Sequence, residues 1–236
     1  MINGKKSWIT SGPVARYIVL FAISTPGIGA KGVSAFIIDT QKPGFHAGKT
    51  EPKLGIRASA TCEIEFNEYV CPKENLLGDE GKGFSYLLDG LNAERVLVAA
   101  EAVGVGKVAL RRAVEYAKSR VVFGRPIGAN QGISFPLAEA HARLAAAELA
   151  TRQAAWRIDN NLPSGEHANM AKFLAADAAF AAADAAVQTH GGFGYASEYH
   201  VERYWRESRL MRIAPIPQEM VLNYLAEHVL GLPRSY

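Results

Sequence analysis

A tryptophan and a threonine near the start of the chain are spaced so that both could contact one ligand from the same face of a strand. In KKSWITSG, Trp8 and Thr10 are two residues apart, so in a strand they would project from the same face. The indole could then lie against a planar ligand while the hydroxyl donates to its edge. A tryptophan with a polar neighbour is, by itself, more often part of a core.

A second candidate is SRVVFGRPIGANQ, which lies between two predicted helices. Its side chains with binding chemistry are Arg120, Phe123, Arg125 and Gln131. Two guanidinium groups and an aromatic ring in one loop form a reasonable clamp for phosphates and a ring. A solvated connection is the alternative, and the spacing does not exclude it.

Two further segments place possible ligand contacts near helix ends. QTHGGFGY ends a predicted helix, and its glycines would let the backbone approach a ligand, although such a helix stop is common without one. In LNAERVLVAA, Glu94 precedes Arg95 early in an apolar helix. The local pattern favours a structural role for this carboxylate, either with the helix dipole or with the arginine.

The segment HVERYWRESRLMR contains four arginines at three-residue spacing: Arg203, Arg206, Arg209 and Arg212. Such a row could indicate a nucleic-acid surface. The net charge of +3 is small for a protein whose main partner is nucleic acid. A solvated or intersubunit ion-pair face is the better interpretation, and we expect no nucleic-acid partner.

Other signatures are incomplete or missing in the sequence. GVGKVAL lacks the third glycine of a dinucleotide fingerprint, and GDEGKG lacks the hydroxyl residue of a P-loop. No group of side chains has metal-ligand spacing, so we predict no metal. The longest apolar run, Tyr17 to Ile23, is too short to cross a bilayer, and the start shows no export signal. Cys62 and Cys71 fit a reducing compartment, so we expect a cytoplasmic protein without a membrane partner.

The first third of the chain has the texture of a β-structure. KKSWIT, ARYIVLFAIS, VSAFIIDT and TCEIEFNEYV are rich in Val, Ile, Phe and Tyr and are separated by Gly and Pro turns. In TCEIEF, apolar and polar residues alternate, as a strand with one buried face requires. Because no helices lie between these strands, an antiparallel barrel or sandwich is favoured.

After LLGDEGKG the chain becomes rich in alanine, with short Gly, Pro and Asn loops. We predict helices at roughly 84–118, 130–160, 165–189, 197–212 and 217–230. Alanine at facing positions lets helices approach closely, which favours a compact bundle. The sequence therefore predicts a β-domain over residues 1–82 and a C-terminal helical bundle over residues 83–236.

Six segments in order resemble the acyl-CoA dehydrogenase family: NGKKSWITSG, KLGIRAS, LNAERV, SRVVFGRPIGANQ, QTHGGFGY and VERYWRES. The resemblance covers essentially the whole chain. It implies an α+β fold, with part of an antiparallel β-barrel or sandwich followed by an all-α up-down four-helix bundle. It also implies that the family's N-terminal helical domain is missing, so we expect a truncated product or a degraded paralogue.

The resemblance implies FAD as the cofactor. It assigns the following residues to FAD, with Arg120 and Phe123 reaching the FAD of a neighbouring subunit: Trp8, Thr10, Arg120, Phe123, Gln131, Gln188, Gly191, Gly192 and Gln218. Val122 stands where many relatives have Thr or Ser, which removes one expected phosphate hydrogen bond. The segment lining the acyl-CoA pocket in the family matches Asn92, Ala93 and Arg95.

The family resemblance also bears on the catalytic base. In many relatives a Tyr-Glu-Gly-Thr segment supplies a glutamate, but the aligned segment here is APIP, with Pro215 in that place. A minority of the family places the base directly before an arginine on the first bundle helix. That position is Glu94 here. The resemblance thus raises Glu94 from a dipole partner to the predicted catalytic base.

The implied reaction is the α,β-dehydrogenation of an acyl-CoA thioester to the 2,3-enoyl-CoA, in fatty-acid or branched-chain oxidation. The resemblance implies a homotetramer or homodimer, with an electron-transfer flavoprotein as acceptor. An alternative hypothesis is a catalytically inactive remnant that only self-associates or binds a partner through its helices.

Overall fold

The computed structural model describes residues 1–234. The chain divides into two compact units, Met1–Gly90 and Leu91–Tyr236. The division falls inside the first long helix, which begins at Gly83.

The first unit contains two open antiparallel sheets of three strands each. The strands are β1 (Ile2–Thr10), β2 (Tyr17–Ile23), β3 (Val33–Asp39), β4 (Phe45–Ala47), β5 (Thr61–Tyr69) and β6 (Leu76–Leu77). One sheet has the order β1-β5-β4 and the other has the order β2-β3-β6. All four runs predicted as strands form strands, and their pairing is antiparallel as predicted.

The core of the first unit depends on the alternation in β5. Cys62, Ile64 and Phe66 are almost completely buried, whereas the intervening glutamates remain partly exposed. The Phe66 ring meets the ring of Tyr69 edge-on, with centroids 5.7 Å apart. The Tyr69 hydroxyl donates to the Asp39 carbonyl oxygen at 3.1 Å, which ties β5 to the end of β3.

The second unit is helical. Its helices, with the one that enters from the first unit, are α1 (Gly83–Ser119), α2 (Gln131–Asp159), α3 (Gly165–His190), α4 (Val201–Ser208) and α5 (Gln218–Tyr224). A short hairpin of β7 (Val121–Val122) and β8 (Arg125–Pro126) joins α1 to α2. The first three predicted helices are confirmed to within about two residues.

The fourth predicted helix, at residues 197–212, is not continuous. It consists of a 3₁₀ turn at Ser197–Tyr199, the helix α4, and a second 3₁₀ turn at Arg209–Arg212. His200 between the first two has a φ of 62°, and a left-handed residue interrupts a right-handed helix. The fifth helix ends in a π-helical turn at Leu225–Val229.

Small residues bring the three long helices close together. A Cβ on Gly106 of α1 would lie 2.6 Å from Leu144 Cδ2 of α2 and 3.0 Å from Ala179 Cα of α3. The helical core consists mainly of alanines that are almost fully buried. The open antiparallel sheets and the helical unit confirm the predicted α+β class.

Candidate functional site

One cavity of about 470 Å³ lies in the helical unit where α1, the hairpin and α3 end. Its wall is formed by Tyr116, Arg120, Val122, Ile127, Gln188, Thr189, His190, Gly191, Gly192 and Phe193. Four of these were predicted to contact a cofactor: Arg120, Gln188, Gly191 and Gly192. The fold brings them together from two segments that are distant in sequence.

The end of α3 shapes one side of this cavity. Gly191 caps the helix with a φ of 59°, a conformation that glycine adopts without steric cost. A Cβ on Gly191 or Gly192 would meet no atom within 4 Å, so this backbone is open to a ligand. At Gly194, by contrast, a Cβ would lie 2.4 Å from the Val187 carbonyl oxygen, so that glycine is needed for packing.

Arg120 supplies the positive charge of the cavity. It follows the last residue of α1, and its backbone carbonyl accepts a hydrogen bond from the Ile127 N–H at 2.9 Å, which closes the hairpin. The guanidinium carbon lies 6.0 Å from the centre of the Phe193 ring. A guanidinium group carries hydrogen-bond donors and no acceptor. The part of the cavity beside Arg120 therefore suits a ligand that has both an anionic group and a flat ring.

Three predicted cofactor residues of the helical unit are not on this cavity's wall. Phe123 is fully exposed at the tip of the hairpin, with a φ of 53°. Gln131 is the exposed first residue of α2. Gln218 is buried, and its side chain is engaged inside the unit: Nε2 donates to Asp177 Oδ1 at 2.9 Å, and Oε1 accepts from Arg212 Nε at 2.7 Å.

His190 was not predicted as a site residue, yet it lines the cavity. It is 5% exposed, and its ring stacks on Tyr116 with centroids 4.2 Å apart. Burial lowers the pKa of its imidazole. Its place inside the QTHGGFGY motif was visible in the sequence, but its burial and stacking were not.

Glu94 lies on the exposed side of α1. Arg95 is only 8% exposed, and burial lowers the pKa of its guanidinium. The Arg95 Nη1 donates to Asn92 Oδ1 at 2.7 Å, while Arg95 Nε is buried without a partner in the described chain. Ala93 is exposed and Asn92 is half-buried. Within residues 1–234 no ion pair joins Glu94 to Arg95, so the carboxylate is left open to solvent.

A buried lysine donates a hydrogen bond to the backbone of the Pro-Ile-Pro connector before α5. Lys172 of α3 is completely buried, and its Nζ donates to the Ile216 carbonyl oxygen at 2.7 Å. Burial lowers the pKa of Lys172 to about 8. Since Pro215 and Pro217 have no N–H, the connector depends on such outside contacts.

Trp8 and Thr10 belong to the first unit, and both are exposed. Trp8 is 66% exposed with a φ of 60°, and the pairing of β1 with β5 shifts register between Lys6 and Ile9. The regular alternation expected for this strand is therefore interrupted at Trp8. Such irregularities re-aim a side chain relative to its neighbours.

Three of the four spaced arginines make contacts within the helical unit. Arg206 pairs with Glu202 at 2.7 Å, Arg212 pairs with Asp177 at 3.0 Å, and Arg203 lies over the Tyr204 ring.

Among residues 1–234, no three His, Cys, Asp or Glu side chains are placed to share a metal ion. In that same range, none of the helices has the length and hydrophobicity needed to span a membrane.

Comparison with known proteins identifies the family. The model of the acyl-CoA dehydrogenase middle domain matches residues 1–69, and the model of the acyl-CoA dehydrogenase C-terminal domain matches residues 81–230. The chain belongs to the acyl-CoA dehydrogenase family. The resemblance found in the six sequence segments is thereby confirmed.

Individual relatives agree with this assignment. An acyl-CoA dehydrogenase of Bacillus subtilis is 44% identical over 98% of this chain and 61% of its own length. The structure of butyryl-CoA dehydrogenase from Megasphaera elsdenii has a TM-score of 0.94 and 39% identity, covering 97% of this chain and 60% of that one. A chain in a structure of the electron transferring flavoprotein of Acidaminococcus fermentans also has a TM-score of 0.94, with 38% identity and coverage of 97% and 60%. The chain thus spans about three fifths of the length of these relatives.

Proposed function

We propose that this chain provides part of an FAD-dependent acyl-CoA dehydrogenase, which converts an acyl-CoA thioester to the 2,3-enoyl-CoA. The main support is the cavity in the helical unit, where Arg120 meets Gln188, Gly191 and Gly192. The sequence resemblance assigned all four residues to FAD, with Arg120 reaching the FAD of a neighbouring subunit. Their convergence from separate segments is what a shared binding role requires.

The cavity fits the adenosine diphosphate end of FAD. An exposed guanidinium suits the diphosphate, and the open backbone of Gly191 and Gly192 permits close approach. Trp8 and Thr10 would hold the isoalloxazine ring from the first unit. Arg120 and Phe123 would reach the FAD of a second copy, with Gln131 nearby, and the complete exposure of Phe123 supports this assignment.

Glu94 would act as the catalytic base. When bound, FAD would supply the acceptor for the hydride that leaves the substrate β-carbon. The Glu94 carboxylate would take the α-proton in the same reaction, and its exposure on α1 leaves it open to a substrate. Asn92, Ala93 and Arg95 would line the acyl-CoA pocket, with the buried Arg95 fixing Asn92 through their hydrogen bond.

The thioester carbonyl must be hydrogen-bonded as negative charge develops on its oxygen. In relatives with the usual base, the backbone N–H of that glutamate is one of the expected donors to the carbonyl. Pro215, which stands in its place here, has no N–H. Loss of one such donor costs on the order of 3 kcal/mol of transition-state stabilisation. We therefore expect slower turnover than in relatives with the glutamate, unless another group donates.

Relatives suggest the substrate and the acceptor. The structure of butyryl-CoA dehydrogenase makes butyryl-CoA the first substrate to test. The match to a chain solved with an electron transferring flavoprotein supports such a protein as the acceptor.

The two cysteines are free, which supports a reducing, cytoplasmic location. We propose that the domain boundary lies between residues 82 and 83, since α1 begins at Gly83.

We also propose self-association as a dimer or tetramer. Along α2, Phe135, Ala142, Leu149 and Trp156 are exposed at seven-residue intervals. The three larger side chains are 60%, 69% and 57% exposed. Residues seven apart lie on nearly the same side of a helix, so they form an apolar stripe that a second copy could cover.

The test begins with a visible absorption spectrum after incubation with FAD and removal of the excess. Flavin bands that stay with the protein support the binding site, and anaerobic addition of butyryl-CoA should then bleach them. Glu94→Gln should abolish the bleaching while FAD remains bound, because an amide cannot take the α-proton. The control is Glu101→Gln, an exposed glutamate of the same helix, which should bleach like the wild type.

Two results would contradict this proposal. Bleaching of Glu94→Gln at the wild-type rate would remove the base assignment. A colourless protein that oligomerises and ignores both ligands on gel filtration would instead favour a non-catalytic helical module.

A further inference from the structure

The environment of His190 fixes which ring nitrogen carries a proton. His190 is the last residue of α3, and its Nδ1 lies 2.8 Å from the Ala186 carbonyl oxygen. A carbonyl oxygen can only accept a hydrogen bond, so Nδ1 must be the donor. In a neutral imidazole with a proton on Nδ1, the other nitrogen, Nε2, has a lone pair and no proton.

The ring is held in a neutral, fixed state by its neighbours. Burial lowers the pKa of His190, the carbonyl of Ala186 raises it, and the charge of Arg112 lowers it further. The ring stacks on Tyr116 at an interplanar angle of 21°, and its centroid lies 5.7 Å from that of Tyr199. With aromatic rings on two sides and Nδ1 tethered, the imidazole cannot rotate freely.

The remaining nitrogen is available to a ligand. Within residues 1–234 no group hydrogen-bonds to Nε2, and the atom is not among the buried polar atoms that lack a partner. His190 forms part of the cavity wall beside Gln188 and Gly192. The guanidinium of Arg120 in the same wall has donors only. Nε2 therefore adds an acceptor to a cavity whose charged group can only donate.

We propose that His190 determines specificity for the nucleoside part of the ligand, with Nε2 accepting a hydrogen bond from a nucleoside amine or hydroxyl group. This inference rests on the proposed binding of FAD at the cavity, and it concerns a residue to which the family resemblance gave no role. The two chemical sources are the exocyclic amine of adenine and the 2′-hydroxyl group of its ribose. A ligand that lacks the relevant donor leaves Nε2 buried against it without a partner, which is unfavourable.

Isothermal titration with ADP as the probe tests this role directly. The wild type should bind ADP about three- to tenfold more tightly than one of two analogues. These analogues are IDP, which lacks the amine, and 2′-deoxy-ADP, which lacks the 2′-hydroxyl group. The analogue that binds more weakly identifies the donor. His190→Leu should bind ADP with the weaker affinity and should no longer distinguish that analogue. His141→Leu on the exposed side of α2 is the control and should behave like the wild type.

A second measurement does not depend on the variant folding. In wild-type protein with ¹⁵N-labelled histidine, the His190 Nε2 resonance should be that of an unprotonated nitrogen and should move on addition of ADP but not of the discriminated analogue. A protonated Nε2, equal affinity for ADP and both analogues, or no ADP binding at millimolar concentration would each overturn the inference.

The outcomes also separate this inference from the proposed dehydrogenase activity. Discrimination of ADP without reduction of bound FAD by acyl-CoA would support His190 and remove the activity. Reduction of bound FAD with unchanged nucleotide affinities in His190→Leu would support the activity and remove the role of His190.

Discussion

Replacing Lys172 with methionine should change how the stability of the protein depends on pH. Lys172 is completely buried, and its pKa falls from 10.5 to about 8, mainly because burial disfavours the charged ammonium. The carboxylates of Glu219 and Asp177 oppose this shift, and the charges of Arg95 and Arg212 add to it. Each unit of pKa corresponds to about 1.4 kcal/mol, so folding with a charged Lys172 costs about 3 kcal/mol at neutral pH.

The sign of the effect follows from proton binding. Between pH 8 and 10.5 the unfolded lysine is still protonated while the folded one is not, so the unfolded state binds more protons. Stability from this residue therefore rises with pH across that window. Below pH 8 both states are charged and the whole cost is present. Methionine has a similar length and no charge, so Lys172→Met lacks this rise.

Urea unfolding of the wild type and Lys172→Met from pH 7 to 10.5 provides the assay. The free energy of unfolding of the wild type, minus that of the variant, should increase by about 3 kcal/mol across this range. Other lysines and tyrosines titrate in both proteins and cancel in the difference. Lys118→Met, at an exposed position of α1, should show no such trend. A wild-type-minus-Lys172→Met difference that stays constant with pH would refute a buried, charged lysine under the connector.

Two sets of glycine substitutions test the close packing of the helical unit by thermal unfolding. Gly106→Ala should destabilise by about 1–3 kcal/mol, because the added Cβ would lie 3.0 Å from the Cα of Ala179. Gly104→Ala, where a Cβ meets no atom within 4 Å, should instead stabilise by roughly 0.5–1 kcal/mol through helix propensity; the same sign at both positions would contradict this packing. Gly194→Ala should destabilise by about 1–3 kcal/mol, since its Cβ would clash with the Val187 carbonyl oxygen. Gly192 has open space around a Cβ and should tolerate alanine. Equal losses of stability in Gly192→Ala and Gly194→Ala would contradict the difference in crowding.

The sequence determined the elements whose signal is local. Alternation in TCEIEF specified the buried face of β5, because successive side chains of a strand point to opposite sides. The long alanine-rich stretches specified α1, α2 and α3, and Gly191 marked the end of α3. The order of six motifs was enough to predict the family, which the comparisons confirm.

Other features were decided by tertiary structure, because they depend on residues far apart in the chain. The buried Lys172 finds its hydrogen-bond acceptor in the connector, 44 residues later in the chain. Gln218 was predicted to contact a cofactor, but its amide is engaged by Asp177 and Arg212. The orientation of the His190 ring depends on its stacking against Tyr116, which belongs to another helix. Periodicity specifies which side of an element is apolar, whereas the partner of a polar group on that side is chosen by the packing of whole helices.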